Sequence, residues 1–330
     1  MNTSILAATL GGFLIGTAAG AASFSRLRSA EPEPAQTEPQ PLETPEIAFD
    51  LGTTRPQLFV LMGQSNIAGT APVPAAPATH PQVLLFGNDY RWQPAVEPLD
   101  TALNQVDAVS ADPGAGLGPG MAFALALMAQ DETRTIGLIP CATWGATLHQ
   151  WQRDLSDQSL YGSCLKRIQA AATVGDVTGV IFFQGEADAL DPVIYPNLGI
   201  NADSWGTRFT DWVSQLRHDL GSPHLPLVYA QIGSHQNPEK FPQWATIQQQ
   251  QARLTLPHSA MIRTDDLPLA DEVHFTASSY RIIGQRFAEA FLSVSATDSP
   301  PEVSINSPPN SPTEASINLP TKASTEARIN

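Results

Sequence analysis

Short apolar segments alternate with amphipathic helical patterns through the middle of this chain, and this alternation limits its fold more than any other feature. Each segment has four to eight residues, a length that suits a strand buried on both faces of a parallel sheet. Strands that alternate with helices predict a three-layer α/β/α sandwich with a mostly parallel sheet. The predicted strands are residues 57–62, 135–140, 179–183, 225–232 and 260–263.

The helical patterns lie between and after these strands. Apolar residues recur at three- and four-residue steps, which places them on one face of a helix. Thr276 stands where the last helix would begin and is its predicted N-cap. The first pattern comprises Trp205, Phe209, Trp212, Val213, Leu216 and Leu220, and the last comprises Tyr280, Ile283, Phe287 and Phe291.

The N-terminal part is expected to lie outside this domain, which we place at residues 55–294. Residues 1–29 contain an apolar segment, 5–22, that is typical of a secretory signal peptide. Arg26 and Arg28 follow this segment and no basic residue precedes it, so an uncleaved membrane anchor is the alternative. We therefore expect a secreted, periplasmic or membrane-anchored protein whose domain lies outside the cytoplasm.

Two low-complexity segments flank the domain. Residues 30–54 are rich in Pro and Glu and are predicted to form an extended linker. Residues 295–330 are rich in Ser, Pro and Thr and repeat the pattern of residues 302–306 with a period of twelve. Their apolar content is too low for a core, so we predict a disordered tail.

Charge and cysteine content exclude some functions. The chain has 32 acidic and 17 basic residues and no cluster of Lys or Arg, which argues against a nucleic-acid partner. Two cysteines are too few for a disulfide scaffold. Cys141 ends an apolar strand and is expected to be a small buried side chain, with a disulfide to Cys164 as the less favoured alternative.

Two distant segments together indicate a serine hydrolase. Ser65 follows the first predicted strand, and Asp271 and His274 share one loop before the last helix. A hydroxyl is a poor nucleophile near neutral pH and needs a base, which itself needs an orienting partner. In isolation, Asp271 and His274 would be read as a helix-capping carboxylate and a surface histidine. Asp265 and Asp266 are alternatives for the acid.

The order of these residues excludes several hydrolase folds. An α/β-hydrolase elbow requires G-x-S-x-G, whereas Ser65 is followed by Asn66 and Ile67. The chymotrypsin order places the histidine first and the serine last, which this chain reverses.

Five segments in one order carry a family resemblance. Together they resemble the SGNH (GDSL-like) hydrolase superfamily and, within it, the sialate O-acetylesterase-like and carbohydrate esterase family 6 group. The resemblance runs from about residue 58 to residue 290 and implies the flavodoxin-like SGNH fold. The segments are GQSN at 63–66, GLGPGMAF at 116–123, IGLIPCA at 136–142, FQGEAD at 183–188 and DEVH at 271–274.

The resemblance also implies the roles of site residues. Ser65 would be the nucleophile, His274 the general base and acid, and Asp271 the residue that orients the imidazole. The backbone N–H of Ser65 and the side-chain amide of Gln184 would bind the oxyanion. Supporting roles would fall to Gln64, Asn66 and Glu186.

A third oxyanion donor is expected where the chain departs from the family. The family usually has S-G-G-T, whereas this chain has Thr143-Trp144-Gly145-Ala146-Thr147. We assign the backbone N–H of Gly145 as the donor, with Trp144 as the rival. Trp144 and Trp151 could pack against an acyl group or a sugar ring, or could both be core residues.

Other motifs carry no separate chemistry. The glycine-rich segment 114–120 lacks the Lys-Ser/Thr of a phosphate loop and is predicted to be a tight turn into a helix over 121–128. The seven histidines are scattered without metal-binding spacing, so we expect neither a metal nor a cofactor.

These observations predict a serine esterase that hydrolyses O-acetyl esters, on carbohydrates of the acetylxylan or sialate type by family resemblance, through an acyl-enzyme. The expected partner is an acetylated carbohydrate or another small ester. The alternatives are a lipase- or thioesterase-like SGNH enzyme, a non-catalytic glycan-binding module, and an adhesion role for the repeat tail.

Overall fold

Seven strands and six α-helices build the described part of the domain. The computed structural model describes residues 55–110 and 114–297. The strands are β1 Gln57–Gly63, β2 Val83–Phe86, β3 Trp92–Pro94, β4 Ile136–Ala142, β5 Asp176–Phe183, β6 Leu227–Ala230 and β7 Ser259–Ile262. The helices are α1 Ser65–Ala68, α2 Gly120–Met128, α3 Leu160–Ala171, α4 Trp205–Asp219, α5 Trp244–Ala252 and α6 Ala277–Thr297.

The strands form one sheet in the order β3-β2-β4-β1-β5-β6-β7. All neighbouring pairs are parallel except β2 and β3, which form an antiparallel edge. The mostly parallel sheet is as predicted. The sequence prediction missed β2 and β3 at this edge of the sheet.

Helices cover both faces of the sheet, as successive side chains of β5 show. The ring of Phe182 lies 4.9 Å from Phe209 and 5.0 Å from Trp212 of α4. The ring of Phe183, which points to the opposite face, lies 6.4 Å from Phe287 of α6. The predicted three-layer α/β/α arrangement is therefore confirmed.

The predicted helices are also present. The closing helix α6 begins at Ala277, and Thr276 Oγ1 accepts the N–H of Ser279 at 3.2 Å, as an N-cap does. The glycine-rich segment leads into α2, which begins at Gly120 as a tight turn predicts. Helices α3 and α5 were not predicted.

Cys141 and Cys164 are joined by a disulfide, which corrects the favoured expectation of a free Cys141. Both side chains are fully buried, and their Cα atoms lie 5.7 Å apart, a separation typical of disulfides. Cys141 lies in β4 and Cys164 in α3. The pairing could not be read from the sequence because α3 itself was not recognised.

The sheet places the candidate site at its carboxyl edge. The chain leaves β1 toward β2 on one side, and leaves β5 toward β6 on the other, so β1 and β5 flank a switch point where ligands commonly bind. Gly63 pairs with both Ala142 and Phe183, so three strands end level with one another. The segments that follow them, beginning at Gln64, Thr143 and Gln184, start side by side.

Three predictions fall outside the described residues: the signal or anchor at 1–29, the linker at 30–54 and, apart from its first residues, the tail at 295–330. They stay predictions. Within residues 55–110 and 114–297, no helix combines the length and apolar character needed to cross a bilayer.

Candidate active site

Ser65 begins α1 directly after the central strand β1. The turn before it depends on Gly63, which has a φ of +137° and whose added Cβ would lie 2.0 Å from the carbonyl oxygen of Phe183. Only glycine fits there, because both the φ and the space exclude a side chain. Ser65 is 4% exposed, and its Oγ lies 2.8 Å from Nε2 of His274.

His274 is held from its other side by Asp271. Its Nδ1 lies 2.8 Å from Oδ2 of Asp271. The second carboxylate oxygen, Oδ1, accepts the backbone N–H groups of Val273 and His274 at 3.0 and 2.8 Å. Partial burial raises the pKa of Asp271, but these hydrogen bonds outweigh it and leave the pKa below its ordinary value. Asp271 is therefore a carboxylate at neutral pH.

Asn66 joins the loop of Asp271 and His274 to the rest of the site. Its Nδ2 donates to the carbonyl oxygen of Val273 at 3.1 Å and to Oε1 of Glu186 at 2.6 Å. Its Oδ1 accepts the hydroxyl of Tyr280, which also lies 2.9 Å from the hydroxyl of Thr70. One amide thus fixes the loop that carries the histidine.

Glu186 is a buried carboxyl group beside this amide. Desolvation by burial raises its pKa, against the opposing effect of the hydrogen bond from Asn66. Its Oε2 has no hydrogen-bond partner among the described residues. Glu186 therefore contacts the amide that fixes the histidine loop, and its supporting role stays a prediction.

Gln64 ties the start of α1 to the segment after β5. Its Oε1 accepts the backbone N–H groups of Gly185 and Ala187, both at 3.3 Å. Its own backbone N–H donates to the carbonyl oxygen of Phe183 at 3.0 Å. Gln64 is buried and holds Ser65 in register with β5.

Gln184 does not have the environment expected of an oxyanion donor. Its side chain is fully buried, and its amide donates to the carbonyl oxygen of Ala146 at 3.0 Å and to Oδ2 of Asp188 at 2.5 Å. Its Oε1 accepts the indole N–H of Trp205 at 3.3 Å. Both amide protons are thus directed at protein acceptors. In this structure Gln184 braces the loop of Ala146, and its role as an oxyanion donor stays a prediction.

Asp188 is a residue of this site for which the sequence analysis predicted no role. Its Oδ2 accepts the backbone N–H of Leu148 at 2.8 Å as well as the Gln184 amide. Desolvation by burial raises its pKa to about 6. Arg208 Nη2 lies 3.5 Å from its Oδ1. Its place in the FQGEAD segment was the one available signal.

Gly145 and Trp144 lie at the surface of the loop that Gln184 and Asp188 brace. Gly145 has a φ of +66°, and a Cβ there would meet nothing within 4 Å. Its N–H and that of Ser65 have no hydrogen-bond partner within the described part of the chain. Trp144 is 36% exposed. Trp151, in contrast, is fully buried and donates to the carbonyl oxygen of Gly63 at 3.2 Å.

Hydrogen bonds join the side chains of this site to one another. Residues 55–110 and 114–297 contain no cluster of three or more His, Cys, Asp or Glu side chains that could hold a metal ion. His274 contacts Asp271 through Nδ1 and Ser65 through Nε2, an arrangement able to activate a hydroxyl.

Solved structures share this fold. An Arabidopsis thaliana protein aligns with a TM-score of 0.61 and 31% identity over 73% of this chain and 99% of its own. A carbohydrate acetylesterase from Xanthomonas citri aligns with a TM-score of 0.55 and 20% identity, over 73% of this chain and 57% of its own. NanS aligns with a TM-score of 0.55 and 17% identity, over 74% of this chain and 98% of its own. The last two likenesses concern the fold alone.

Sequence comparison gives the family. A protein of Arabidopsis thaliana described as a probable carbohydrate esterase is 32% identical over 258 residues, which are 72% of this chain and 90% of that protein. Residues 55–293 match the family model described as carbohydrate esterase, sialic acid-specific acetylesterase. The predicted resemblance to this group of esterases is therefore confirmed, and the chain belongs to the sialic acid-specific acetylesterase family of carbohydrate esterases.

Proposed function

We propose that this esterase hydrolyses O-acetyl esters of carbohydrates through a covalent acetyl-serine. The observation that carries the proposal is a continuous chain of contacts, from Ser65 Oγ to His274 Nε2 at 2.8 Å and from His274 Nδ1 to Asp271 Oδ2 at 2.8 Å. It supplies a nucleophile, a base and an orienting carboxylate in the order that acyl transfer needs.

In the first half of the proposed reaction, Ser65 Oγ attacks the carbonyl carbon of the acetyl group. His274 Nε2 takes the hydroxyl proton, and Asp271 stabilises the imidazolium that results. Collapse of the tetrahedral intermediate breaks the ester C–O bond, and His274 returns the proton to the departing sugar oxygen. Ser65 is left as an acetyl ester.

The second half repeats the sequence with water. His274 takes a proton from the water molecule, whose oxygen attacks the acetyl carbon. The new intermediate collapses, Ser65 Oγ leaves with the proton from His274, and acetate is released. The net reaction is hydrolysis of the ester, with water as the final acceptor of the acetyl group.

The oxyanion would be bound by backbone N–H groups. Ser65 and Gly145 offer N–H donors without a described protein partner, whereas the Gln184 amide is occupied. Gln184 would act through the Ala146 carbonyl, by fixing the loop that carries Gly145. A single oxyanion donor is typically worth roughly 10²–10³ in rate.

The substrate is proposed to be an acetylated carbohydrate, of the acetylxylan or sialate type. The family description and the relative named as a carbohydrate esterase support this class.

The test compares wild type with Ser65→Ala on p-nitrophenyl acetate and on acetylated xylan. We expect at least about a hundredfold loss of kcat, as removal of a nucleophile produces. Ser214→Ala, on an exposed position of α4, is the matched control and should retain activity. A fluorophosphonate should label Ser65 and not the variant. Equal rates for wild type and Ser65→Ala would reject the proposal.

We also propose that the domain works outside the cytoplasm, either secreted or attached to a membrane through residues 1–29. The Cys141–Cys164 disulfide supports this, because structural disulfides persist mainly in oxidising compartments. Fractionation of cells that express the full chain should recover the protein outside the cytoplasm with both cysteines protected from maleimide. Recovery in the cytoplasm with reduced cysteines would contradict it.

A further inference from the structure

We propose that Trp144 is a platform for the pyranose ring that carries the ester, an inference that rests on the proposed function of Ser65 and His274. Trp144 is 36% exposed. Its ring centroid lies 6.3 Å from that of His274, with the two planes inclined by 38°. An exposed indole therefore stands beside the proposed base.

The loop that carries Trp144 is fixed on both sides of the indole. Before it, the N–H of Thr143 donates to the carbonyl oxygen of Gly63 at 3.2 Å. After it, the N–H of Ala146 donates to the Thr143 carbonyl at 3.2 Å, and the Ala146 carbonyl accepts the Gln184 amide at 3.0 Å. The backbone under the indole is thus tied to β1 and to the segment after β5.

The indole also packs closely against the backbone of Gly114. A Cβ added to Gly114 would lie 2.8 Å from Cη2 of Trp144, so the absence of a side chain at Gly114 lets the backbone approach the edge of the ring. A side chain held in one place by its backbone and by a close neighbour binds a ligand without a large loss of rotamer entropy.

Because the indole lies next to His274, we expect it to contact the leaving group of the ester, which is the sugar. In the proposed reaction, His274 Nε2 gives its proton to the departing oxygen, so the sugar must lie against the imidazole. The acyl part is only an acetyl group, whose single methyl would cover little of an indole. The C–H face of a pyranose is flat and apolar and matches the area of an aromatic ring.

The test measures the ratio of two kcat/KM values, for peracetylated methyl β-xylopyranoside and for ethyl acetate. Both substrates lose an acetyl group, but only the first has a pyranose leaving group. Trp144→Ala should lower this ratio roughly tenfold, the effect of removing about 60 Å² of apolar contact, mainly through a higher KM for the xyloside. Trp144→Phe should restore most of it. Ile282→Ala, which changes a side chain of α6 that is 38% exposed, should leave the ratio as in wild type.

Two results would overturn the inference: a ratio that Trp144→Ala leaves unchanged, or a fall that Trp144→Phe does not recover. Ser65→Ala is assayed in parallel so that the two proposals fail separately. If Ser65→Ala is inactive and the ratio is unchanged in Trp144→Ala, only the platform is wrong. If Ser65→Ala remains active, the proposed mechanism is wrong and the platform, which rests on it, falls with it.

Discussion

Replacement of Asp271 by asparagine should damage the proposed reaction more than its replacement by alanine. The backbone N–H groups of Val273 and His274 both point at Oδ1, at 3.0 and 2.8 Å. The asparagine oxygen must take this position, because an NH2 group there would face two donors. The NH2 group is then left 2.8 Å from Nδ1 of His274 and donates to it. A neutral imidazole whose Nδ1 accepts carries its proton on Nε2, so it cannot take the proton of Ser65.

The magnitudes of the two effects follow from this geometry. Asp271→Ala removes the hydrogen bond to Nδ1 of His274 as well as those from the backbone N–H groups of Val273 and His274. The bond to Nδ1 orients the imidazole and, as a hydrogen bond to a charged group, is worth about 1.5–3 kcal/mol, which is roughly 10- to 150-fold in kcat/KM. Asp271→Asn loses the same bond and also fixes the wrong tautomer, for which about 10⁴-fold is typical of Ser-His-Asp sites. We therefore expect the asparagine variant to be roughly a hundredfold slower than the alanine variant.

The assay is kcat/KM for p-nitrophenyl acetate from about pH 5 to about pH 9, with the tautomer of His274 read by ¹⁵N NMR. Hydrogen bonds hold the pKa of Asp271 below its ordinary value, so the Asp271 carboxylate of wild type stays ionised over this pH range. The ranking of wild type, alanine variant and asparagine variant by kcat/KM should therefore be the same at every pH. Asp265→Asn is the matched control, since Asp265 pairs with Arg263 instead. The reasoning is refuted if Asp271→Asn is as active as Asp271→Ala.

Three further perturbations follow from the structure. Cys141→Ala/Cys164→Ala should lower the free energy of unfolding by about 3 kcal/mol, because the bond closes a loop with a sequence separation of 23; an unchanged urea midpoint would contradict this. Burial raises the pKa of Asp188 to about 6. The folded chain therefore keeps a proton on Asp188 that the unfolded chain loses near the ordinary pKa of an aspartic acid, and the free energy of unfolding falls as the pH rises from the unfolded to the folded pKa. Asp188→Asn should remove about 3 kcal/mol of that fall. The free energy of unfolding in urea is measured near pH 4 and near pH 7, and an equal change with pH in variant and wild type would contradict the prediction. Gly145→Ala should cost roughly 1 kcal/mol of stability at a φ of +66° and, if its N–H serves the oxyanion, should lower kcat rather than raise KM; a change in KM alone would oppose that role.

The meeting of Ser65, Asp271 and His274 could be expected from the sequence, because these residues lie in short segments after a strand and before the last helix. Gly63, Ser65, Asp271 and His274 belong to motifs whose order along the chain already excludes several hydrolases. The parallel sheet then brings strand ends to one edge, so their convergence follows from the alternation of strands and helices. The contact between Ser65 and His274 is the outcome of that topology.

The supporting contacts could not be predicted because they depend on side-chain direction across the fold. The amide of Gln184 looks suitable as an oxyanion donor in a sequence, but its burial against Ala146 and Asp188 turns it toward the protein. The Asn66–Tyr280 hydrogen bond joins residues 214 positions apart. Trp144 and Trp151 are the same residue type on nearby positions of the chain. Only the fold shows that Trp144 is exposed and Trp151 is buried in the core.

The contact between Ser65 and His274, the proposed nucleophile and base, joins the two ends of the domain, and this has a consequence for biosynthesis. When Ser65 has been added to a growing polypeptide, 209 more residues must follow before its imidazole partner exists. Any fragment truncated before His274 lacks the base that the proposed reaction requires. Ester hydrolysis would then begin only once synthesis of the domain is nearly finished, and turnover would serve as a readout that the full-length domain has matured.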